Sequence, residues 1–197
     1  PLKNEEERIE KYKANERVCF AAFVSYYSEL VPNDMYRDII KYPTEYILRY
    51  WDKNSPHYKK EIFDNGEPYD IEYFQWFIPR LKDKDTANRL ASILCQNPTA
   101  FMELDYVRSE KEYVHLPCDV IESPNSIVYP VVKDLVLDSL EYRMGQQSQD
   151  GRWPLGWSFG DDEELKKLQM KYETYYTLAM LEKLERFNMI ERKCNVS

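Results

Sequence analysis

The hydrophobic positions of this chain recur mostly at three- and four-residue spacing, which is the period of an α-helix with one buried face. The clearest run places Val132, Val136, Leu140 and Met144 at four-residue steps. The longest helix is predicted to follow it, from Asp161 to Phe187. We therefore predict an all-α fold of about seven or eight helices arranged as antiparallel hairpins.

The N-terminal half has the same helical character. A helix start is predicted at Asn4, and residues 15–31 carry two apolar stripes, so we expect a central helix covered on more than one side. Pro43 is expected to divide the next helical stretch and leave 44–51 as a separate piece. The polar segment 52–68 contains several turn signals and is predicted to be a surface loop. Helical spacing returns at 71–78 and at about 85–95.

One segment departs from the helical period. Residues 110–124 have a strand-like composition around Tyr113, but Pro117 and Pro124 interrupt it. We predict an extended segment that lies over the helices.

Length and composition limit the classes of protein that fit. A chain of 197 residues suits a single all-α domain over 1–197, and only five glycines are present. The net charge of −8 argues against a nucleic-acid partner, because phosphate binding needs a basic face. No apolar run approaches the roughly 20 residues of a membrane span. No signal-peptide pattern opens the sequence. We therefore expect a cytoplasmic protein.

The cysteines and histidines do not form a recognisable metal or disulfide pattern. Four cysteines lie far apart in sequence, at Cys19, Cys95, Cys118 and Cys194. Only two histidines are present, and the His115–Cys118–Asp119 group lacks a second cluster to complete a zinc site. We predict free thiols, no metal and no cofactor.

The most informative motif lies between the two long C-terminal helices. It places Gln147, Gly151 and Trp153 at a spacing of Gln-x3-Gly-x-Trp. Glycine adopts the positive φ that a helix end often requires, so Gly151 is predicted to turn the chain. Trp153 is then predicted to enter the seam between the helices.

With Leu140 and Tyr142, these three residues resemble the QW repeat of squalene–hopene-type terpene cyclases and of protein prenyltransferase β subunits. A longer stretch, about 105–190, resembles uncharacterised bacterial proteins labelled as prenyltransferase or squalene-oxidase repeat proteins. The resemblance implies part of an α/α toroid.

The Gly-rich repeats of that family's N-terminal half have no counterpart here. The chain also begins at Pro1. We therefore interpret it as a fragment, or the C-terminal part, of a larger toroid-like protein. A missing segment or a partner would complete the ring, and a homodimer is one such arrangement.

The toroid resemblance also draws attention to acidic residues. Terpene cyclases protonate an alkene with an Asp-rich motif, and the nearest match here includes Asp161 and Asp162. Both acids lie where the last helix is predicted to begin, so helix capping also accounts for them. Asp150 lies beside the motif aromatics and suits one half of a glycosidase pair, but an Asx turn that ends at Gly151 is the favoured interpretation. These three are the catalytic candidates.

Five aromatic residues are the candidates for ligand binding: Trp51, Trp76, Trp153, Trp157 and Phe159. If their rings converge they line an apolar cleft, and otherwise they fill the core. The expected function is a non-catalytic helical scaffold or binding module that holds an apolar or glycan ligand in this cleft. The alternative is a toroid-type enzyme acting on a prenyl, terpenoid or carbohydrate substrate.

Overall fold

The computed structural model describes residues 15–58, 68–110 and 112–191. Every regular element within these ranges is helical, which confirms the all-α prediction. By its internal contacts the chain divides into two compact units, residues 1–101 and 102–197. The single-domain assignment stays a prediction, as does the toroid. The helix predicted from Asn4 begins outside the described residues.

Unit 1, residues 1–101, is built from four described α-helices. They are α1 (Asn15–Tyr26), α2 (Asn33–Tyr46), α3 (Pro68–Phe77) and α4 (Lys84–Leu94). A π-helical turn, Ile47–Trp51, continues α2, and 3-10 turns occupy Ser28–Leu30, Ile78–Arg80 and Pro98–Phe101. The predicted helices at 71–78 and 85–95 are therefore confirmed within a few residues.

The core of unit 1 centres on Trp51, whose side chain is 1% exposed. Its ring centroid lies 4.9 Å from that of Phe74 and 5.1 Å from that of Phe101. Aromatic pairs at this separation add dispersion and edge-to-face attraction to the burial of their area. Trp51 therefore joins α3 and the turn after α4 to the end of α2.

Helix α1 is covered on one side only, so the prediction of a central helix was wrong. It packs against α2 and α3. The buried side presents small residues such as Ala21 and Ala22, which let the helices approach closely, whereas Phe20, Phe23 and Tyr26 remain exposed. The small residues make the contact, and the large rings of both predicted stripes project away from it.

Pro43 does not divide the chain, contrary to the prediction. Helix α2 runs through it, and the Pro43 ring is buried. A proline inside a helix removes one hydrogen bond from the ladder and crowds the preceding turn, but it does not always end the helix. The Ile47 N–H is shared between the carbonyl oxygens of Pro43 and Thr44, and the helix then widens into the π turn.

Unit 2, residues 102–197, contains three described α-helices: α5 (Pro117–Val120), α6 (Tyr129–Gly145) and α7 (Glu163–Arg186). A 3-10 turn occupies Tyr106–Glu110. The two long helices confirm the prediction made from their periodicity. None of the helices in the described ranges combines the length and apolarity needed to cross a membrane.

The predicted extended segment is interrupted by α5, which corrects the interpretation of 110–124. Pro117 stands in the first turn, where its missing N–H would be unpaired in any case. The Asp119 carboxylate accepts a hydrogen bond of 3.0 Å from the Leu116 N–H and closes the turn. Proline therefore starts a short helix here.

Polar side chains of α6 and α7 hold α5 in the core of unit 2. The buried Ser139 hydroxyl accepts a 3.0 Å hydrogen bond from the Cys118 N–H. The Lys183 ammonium donates a 2.7 Å hydrogen bond to the Cys118 carbonyl oxygen. Buried backbone groups of a short helix need such partners, so these two side chains fix the position of α5.

Helical spacing predicts two apolar stripes from Asp161 to Phe187, one through Tyr172 and Tyr175 and one through Met180, Leu184 and Phe187, and the two differ in burial. Met180, Leu184 and Phe187 are buried, whereas Tyr172 and Tyr175 are 48% and 73% exposed. One stripe therefore forms the core of unit 2, and the other leaves aromatic side chains at the surface.

Candidate functional site

The motif between α6 and α7 forms a tight turn fixed by its own polar groups. Gly151 has a φ of 85°, which confirms the predicted positive value. The Gln147 side-chain amide donates a 2.8 Å hydrogen bond to the Gly151 carbonyl oxygen. The N–H of Ser148 donates a 2.8 Å hydrogen bond to the carbonyl oxygen of Arg152. Gln147 and Gly151 thus shape the turn.

Trp153 lies at the end of this turn and is 3% exposed. Its indole Nε1 donates a 2.6 Å hydrogen bond to the Arg143 carbonyl oxygen at the end of α6. Its backbone N–H donates a 3.0 Å hydrogen bond to Thr177 Oγ1 on α7. The residue occupies a buried position bonded to both helices, and its ligand-binding role stays a prediction.

The carboxylate of Asp150 forms part of the same turn. It accepts hydrogen bonds of 2.9 and 2.6 Å from the Arg152 guanidinium and one of 2.5 Å from the Ser148 hydroxyl. The Arg152 side chain, followed by Ser148, holds the pKa of Asp150 well below its usual range. Arg152 also pairs with Glu173 on α7 at 3.1 Å. Asp150 is therefore a turn-forming carboxylate that stays ionised.

The other two catalytic candidates lie at the start of α7. Asp162 is its N-cap residue, and its carboxylate accepts a 2.9 Å hydrogen bond from the Leu165 N–H. This geometry confirms the capping explanation for Asp162. Asp161 precedes the cap and is exposed. A catalytic role for either residue stays untested.

The aromatic candidates lie in different environments. Trp157 and Phe159 form a ring cluster with Tyr172 in unit 2, at centroid distances of 4.7 Å between the first two and 5.1 Å from Phe159 to Tyr172. Trp157 is 36% exposed. In unit 1, Trp51 fills the core, whereas Trp76 is 42% exposed and lies 5.7 Å from the Tyr73 ring.

Unit 1 also contains an aromatic-lined cavity of about 430 Å³, which we call the Tyr42 cavity. Within the described part of the chain, its lining residues are Tyr42, Glu45, Tyr46, Leu48, Arg49, Tyr50, Ser55 and His57. Its volume lies within the range of about 300–1,000 Å³ typical of small-molecule sites. Apolar rings with a few polar groups are also the usual lining of such sites.

The π turn shapes one wall of the Tyr42 cavity. The Asp52 N–H donates a 3.2 Å hydrogen bond to the Ile47 carbonyl oxygen, five residues earlier, which is the spacing of a π-helix. The wider turn places Trp51 in the core while Leu48 and Arg49 line the cavity. Single π turns are rare and occur frequently at functional sites.

The buried carboxylate of Asp52 organises the turn that carries two other lining residues, Ser55 and His57. It accepts a 2.9 Å hydrogen bond from the Asn54 N–H and a 3.3 Å hydrogen bond from Arg89 on α4. The Ser55 N–H donates to the Asp52 carbonyl oxygen at 2.8 Å, and the His57 N–H donates to Ser55 Oγ at 3.2 Å. Ser55 and His57 are thereby held in place without a ligand.

A second cavity of about 390 Å³ adjoins the first through Tyr42, which lines both. Its other lining residues are Arg17, Phe20, Asp38 and Ile39. The Arg17 guanidinium lies 4.5 Å from the centroid of the Tyr42 ring, a cation–π contact. One face of α2 therefore borders two neighbouring cavities.

Where a described carboxyl group has a clearly displaced pKa, its surroundings favour the ionised form. Four of these groups have a pKa clearly displaced from the ordinary value, and in each it is lowered: Asp52, Asp83, Glu112 and Asp150. Hydrogen-bond donors around the carboxylate are the main cause in each case. A general acid at neutral pH needs the opposite shift. Within the described ranges no three His, Cys, Asp or Glu side chains gather as a metal site would require.

The Tyr42 cavity was missed from the sequence, although one signal for it was present. Tyr42, Tyr46 and Tyr50 follow one another at four-residue spacing, which places their rings on one face of a helix. Because the helix was predicted to break at Pro43, these three tyrosines were not assigned to one helix face. The positions of Ser55 and His57 depend on two hydrogen bonds, from the Ser55 N–H to the Asp52 carbonyl oxygen and from the His57 N–H to Ser55 Oγ, which no sequence pattern indicates.

Comparison with known proteins adds no identification. The chain matches no known protein family, no curated protein and no solved structure. The resemblance to toroid proteins therefore remains an expectation.

Proposed function

We propose that this protein is a helical binding module that holds a small ligand in the Tyr42 cavity. The observation that carries the proposal is the cavity itself, about 430 Å³ in volume and lined by the three tyrosines at positions 42, 46 and 50. A cavity of this size accommodates a ligand with one or two rings. Its walls are fixed by the π turn and by Asp52, so little ordering is needed when a ligand binds.

The alternative is a toroid-type enzyme acting on a prenyl, terpenoid or carbohydrate substrate. An alkene-protonating terpene cyclase or a glycosidase needs a carboxylic acid that remains protonated near neutral pH. Asp150, the acid nominated by the motif, has its pKa lowered by Arg152 and does not meet this need. This observation favours the binding function.

A titration with benzyl alcohol, a neutral aromatic probe, tests the proposal. The backbone amide signals of Tyr50, Ser55 and His57 should shift in ¹H–¹⁵N spectra. Tyr42→Ala should weaken binding about fivefold, because one aromatic contact contributes about 1 kcal/mol. Tyr26→Ala is the matched control, since this exposed tyrosine of unit 1 does not line the cavity. Absence of shifts, or equal losses in both variants, would contradict the proposal.

The cluster formed by Trp157, Phe159 and Tyr172 supports a second candidate, a glycan-binding surface on unit 2. Half-exposed rings of this kind offer apolar faces against which sugar rings stack. Titration with cello- and chito-oligosaccharides, followed by tryptophan fluorescence, tests this candidate. Trp157→Ala should abolish the response and leave the melting temperature nearly unchanged. A response that persists in the variant would refute this second function.

A further inference from the structure

Helix α7 exposes a row of large apolar side chains along one side. Each of them is between 39% and 73% exposed: Tyr172, Tyr175, Leu178 and Leu181. An α-helix turns by about 100° per residue, so these four lie on one half of its circumference, on the side away from the buried Met180. An exposed apolar row of this kind is typical of a surface that binds another protein.

The apolar pattern of this row is the same when it is read in either direction. Tyr172 and Leu181 stand equally far from the midpoint of the row, and so do Tyr175 and Leu178. Two antiparallel copies of α7 related by a two-fold axis at this midpoint would place Tyr175 of each copy against Leu178 of the other. The same axis would place Tyr172 against Leu181. A two-fold dimer requires a surface that is self-complementary in this way.

Opposite charges lie at the two ends of the row. Lys171 precedes it and Glu182 follows it, so each is about 8 Å from the midpoint along the helix axis. In the antiparallel pair, Lys171 of each copy would face Glu182 of the other, which gives two ion pairs. In a parallel pair in register each residue would face its own copy, and both contacts would be repulsive. The charges therefore favour the antiparallel arrangement. We call the row, with Lys171 and Glu182, the α7 outer face.

The charges that flank the α7 outer face are compensated within each chain. Pairing would bring Lys167 of one copy near Arg186 of the other. Lys167 Nζ lies 2.8 Å from the Glu164 carboxylate, and the Arg186 guanidinium lies 3.3 Å from that of Glu122. The Glu182 carboxylate lies 3.9 Å from Arg186, but a long and exposed ion pair of this kind contributes little and leaves the carboxylate accessible to a second copy.

We infer that this chain forms an antiparallel homodimer in which the α7 outer faces of two copies pack against each other. The pairing covers roughly 17 Å of helix on each copy, which is less than a standard interface. We therefore expect a weak dimer with a dissociation constant of about 10–100 μM. The inference concerns unit 2 and does not depend on the Tyr42 cavity.

Sedimentation equilibrium between about 5 and 500 μM tests the inference, because dimerisation follows mass action over this range. Leu178→Gln should weaken the dimer at least about tenfold, since the substitution acts twice in a two-fold interface. The melting temperature of the dilute variant should stay close to that of the wild type, because this side chain is exposed. Val131→Gln is the matched control: Val131 is 55% exposed and belongs to α6.

Charge reversal tests the orientation of the two helices. Lys171→Glu and Glu182→Lys should each weaken the homodimer about fivefold, since each converts two ion pairs into contacts between like charges. An equimolar mixture of the two variants should recover the wild-type affinity, because the heterodimer restores opposite charges at both ends. Lys133→Glu, an exposed position on α6, changes the net charge equally and should have little effect.

Each possible failure has a distinct result. A protein that stays monomeric over the whole range, or a dimer that Leu178→Gln does not weaken, would overturn the inference. Equal losses in Lys133→Glu and Lys171→Glu would show that net charge alone is responsible, which also contradicts it. Single charge variants that dimerise like the wild type, with a mixture that dimerises more tightly, would indicate a parallel pair and overturn the antiparallel arrangement.

Discussion

The indole Nε1 of Trp153 donates a 2.6 Å hydrogen bond to the carbonyl oxygen of Arg143. This carbonyl belongs to the last turn of α6, where helix carbonyls lack partners within the helix. The Arg143 side chain meanwhile pairs with Asp119 of α5 at 2.9 Å. One pair of residues therefore completes the end of α6 and connects it to the motif turn and to α5.

Replacement of Trp153 by alanine should lower the free energy of unfolding by about 3–5 kcal/mol, the usual cost of truncating a large buried aromatic side chain. Trp153→Phe keeps a ring but loses the bond to Arg143, so it should cost less. Urea denaturation of the three proteins measures both effects. A wild-type denaturation curve for the alanine variant would show that the indole does not stabilise unit 2.

The helices of this protein were predictable because their signals are local. The four-residue steps through Val132 and Leu140 identified α6, and the acids before Leu165 marked the start of α7. Gly151 was likewise predictable, since few residues other than glycine adopt its backbone angle. Each of these features depends on residues that are close together in the sequence.

The cavity was not predictable because it depends on interactions between distant residues. The continuation of α2 past Pro43 requires the shared Ile47 N–H and the π turn. The turn after Asp52 requires Arg89, which lies 37 positions later in the chain. Similarly, the exposure of Phe20 and Phe23 follows from which face of α1 the other helices cover, and periodicity does not reveal this.

Gly156 is predicted to be intolerant of even a methyl group. A Cβ atom at this position would lie 2.5 Å from the carbonyl oxygen of Ser109, a backbone atom that cannot rotate away. Gly156→Ala should therefore destabilise the protein by about 1–3 kcal/mol, as overpacking does.

Gly145→Ala is the matched control for this substitution. A Cβ atom there meets nothing within 4 Å, and the position is the last residue of α6. The change should be neutral or stabilising by up to about 1 kcal/mol, because alanine restricts the unfolded chain. Thermal melts of both variants test the pair, and a neutral Gly156→Ala would show that the loop adjusts freely.

Asp52 is expected to make stability depend on pH. The Asn54 N–H, together with Asn54 and Arg89 side chains, lowers the pKa of Asp52 below its ordinary value, although burial opposes the shift. A carboxyl with a lowered folded-state pKa stabilises the protein above its unfolded pKa of about 3.9. That stabilisation is lost as the pH falls through the lower, folded-state pKa.

The variant Asp52→Asn measures this contribution. It should be less stable than the wild type by about 1–2 kcal/mol at pH 7, since it loses charge-assisted hydrogen bonds. The difference should shrink as the pH falls below about 4, because the carboxyl takes up its proton first in the unfolded chain and only at lower pH in the folded protein. Urea denaturation across this range provides the test. A constant difference between pH 7 and pH 3 would indicate that ionisation of Asp52 does not matter.

The Cys118 thiol should be unreactive in the folded protein. The side chain is 0% exposed, and burial, aided by Asp119, raises its pKa to about 12. The thiolate is the form that attacks thiol reagents. With this raised pKa it is scarce at neutral pH, and burial also shields it. A variant with Cys19, Cys95 and Cys194 replaced by serine isolates this thiol. Its labelling by Ellman's reagent should be negligible in buffer and complete in denaturant, and Cys19, which is exposed, supplies the fast reference when it is retained. Rapid labelling of Cys118 in buffer would show that α5 separates readily from α6 and α7, contrary to the bonds that Ser139 and Lys183 make to it.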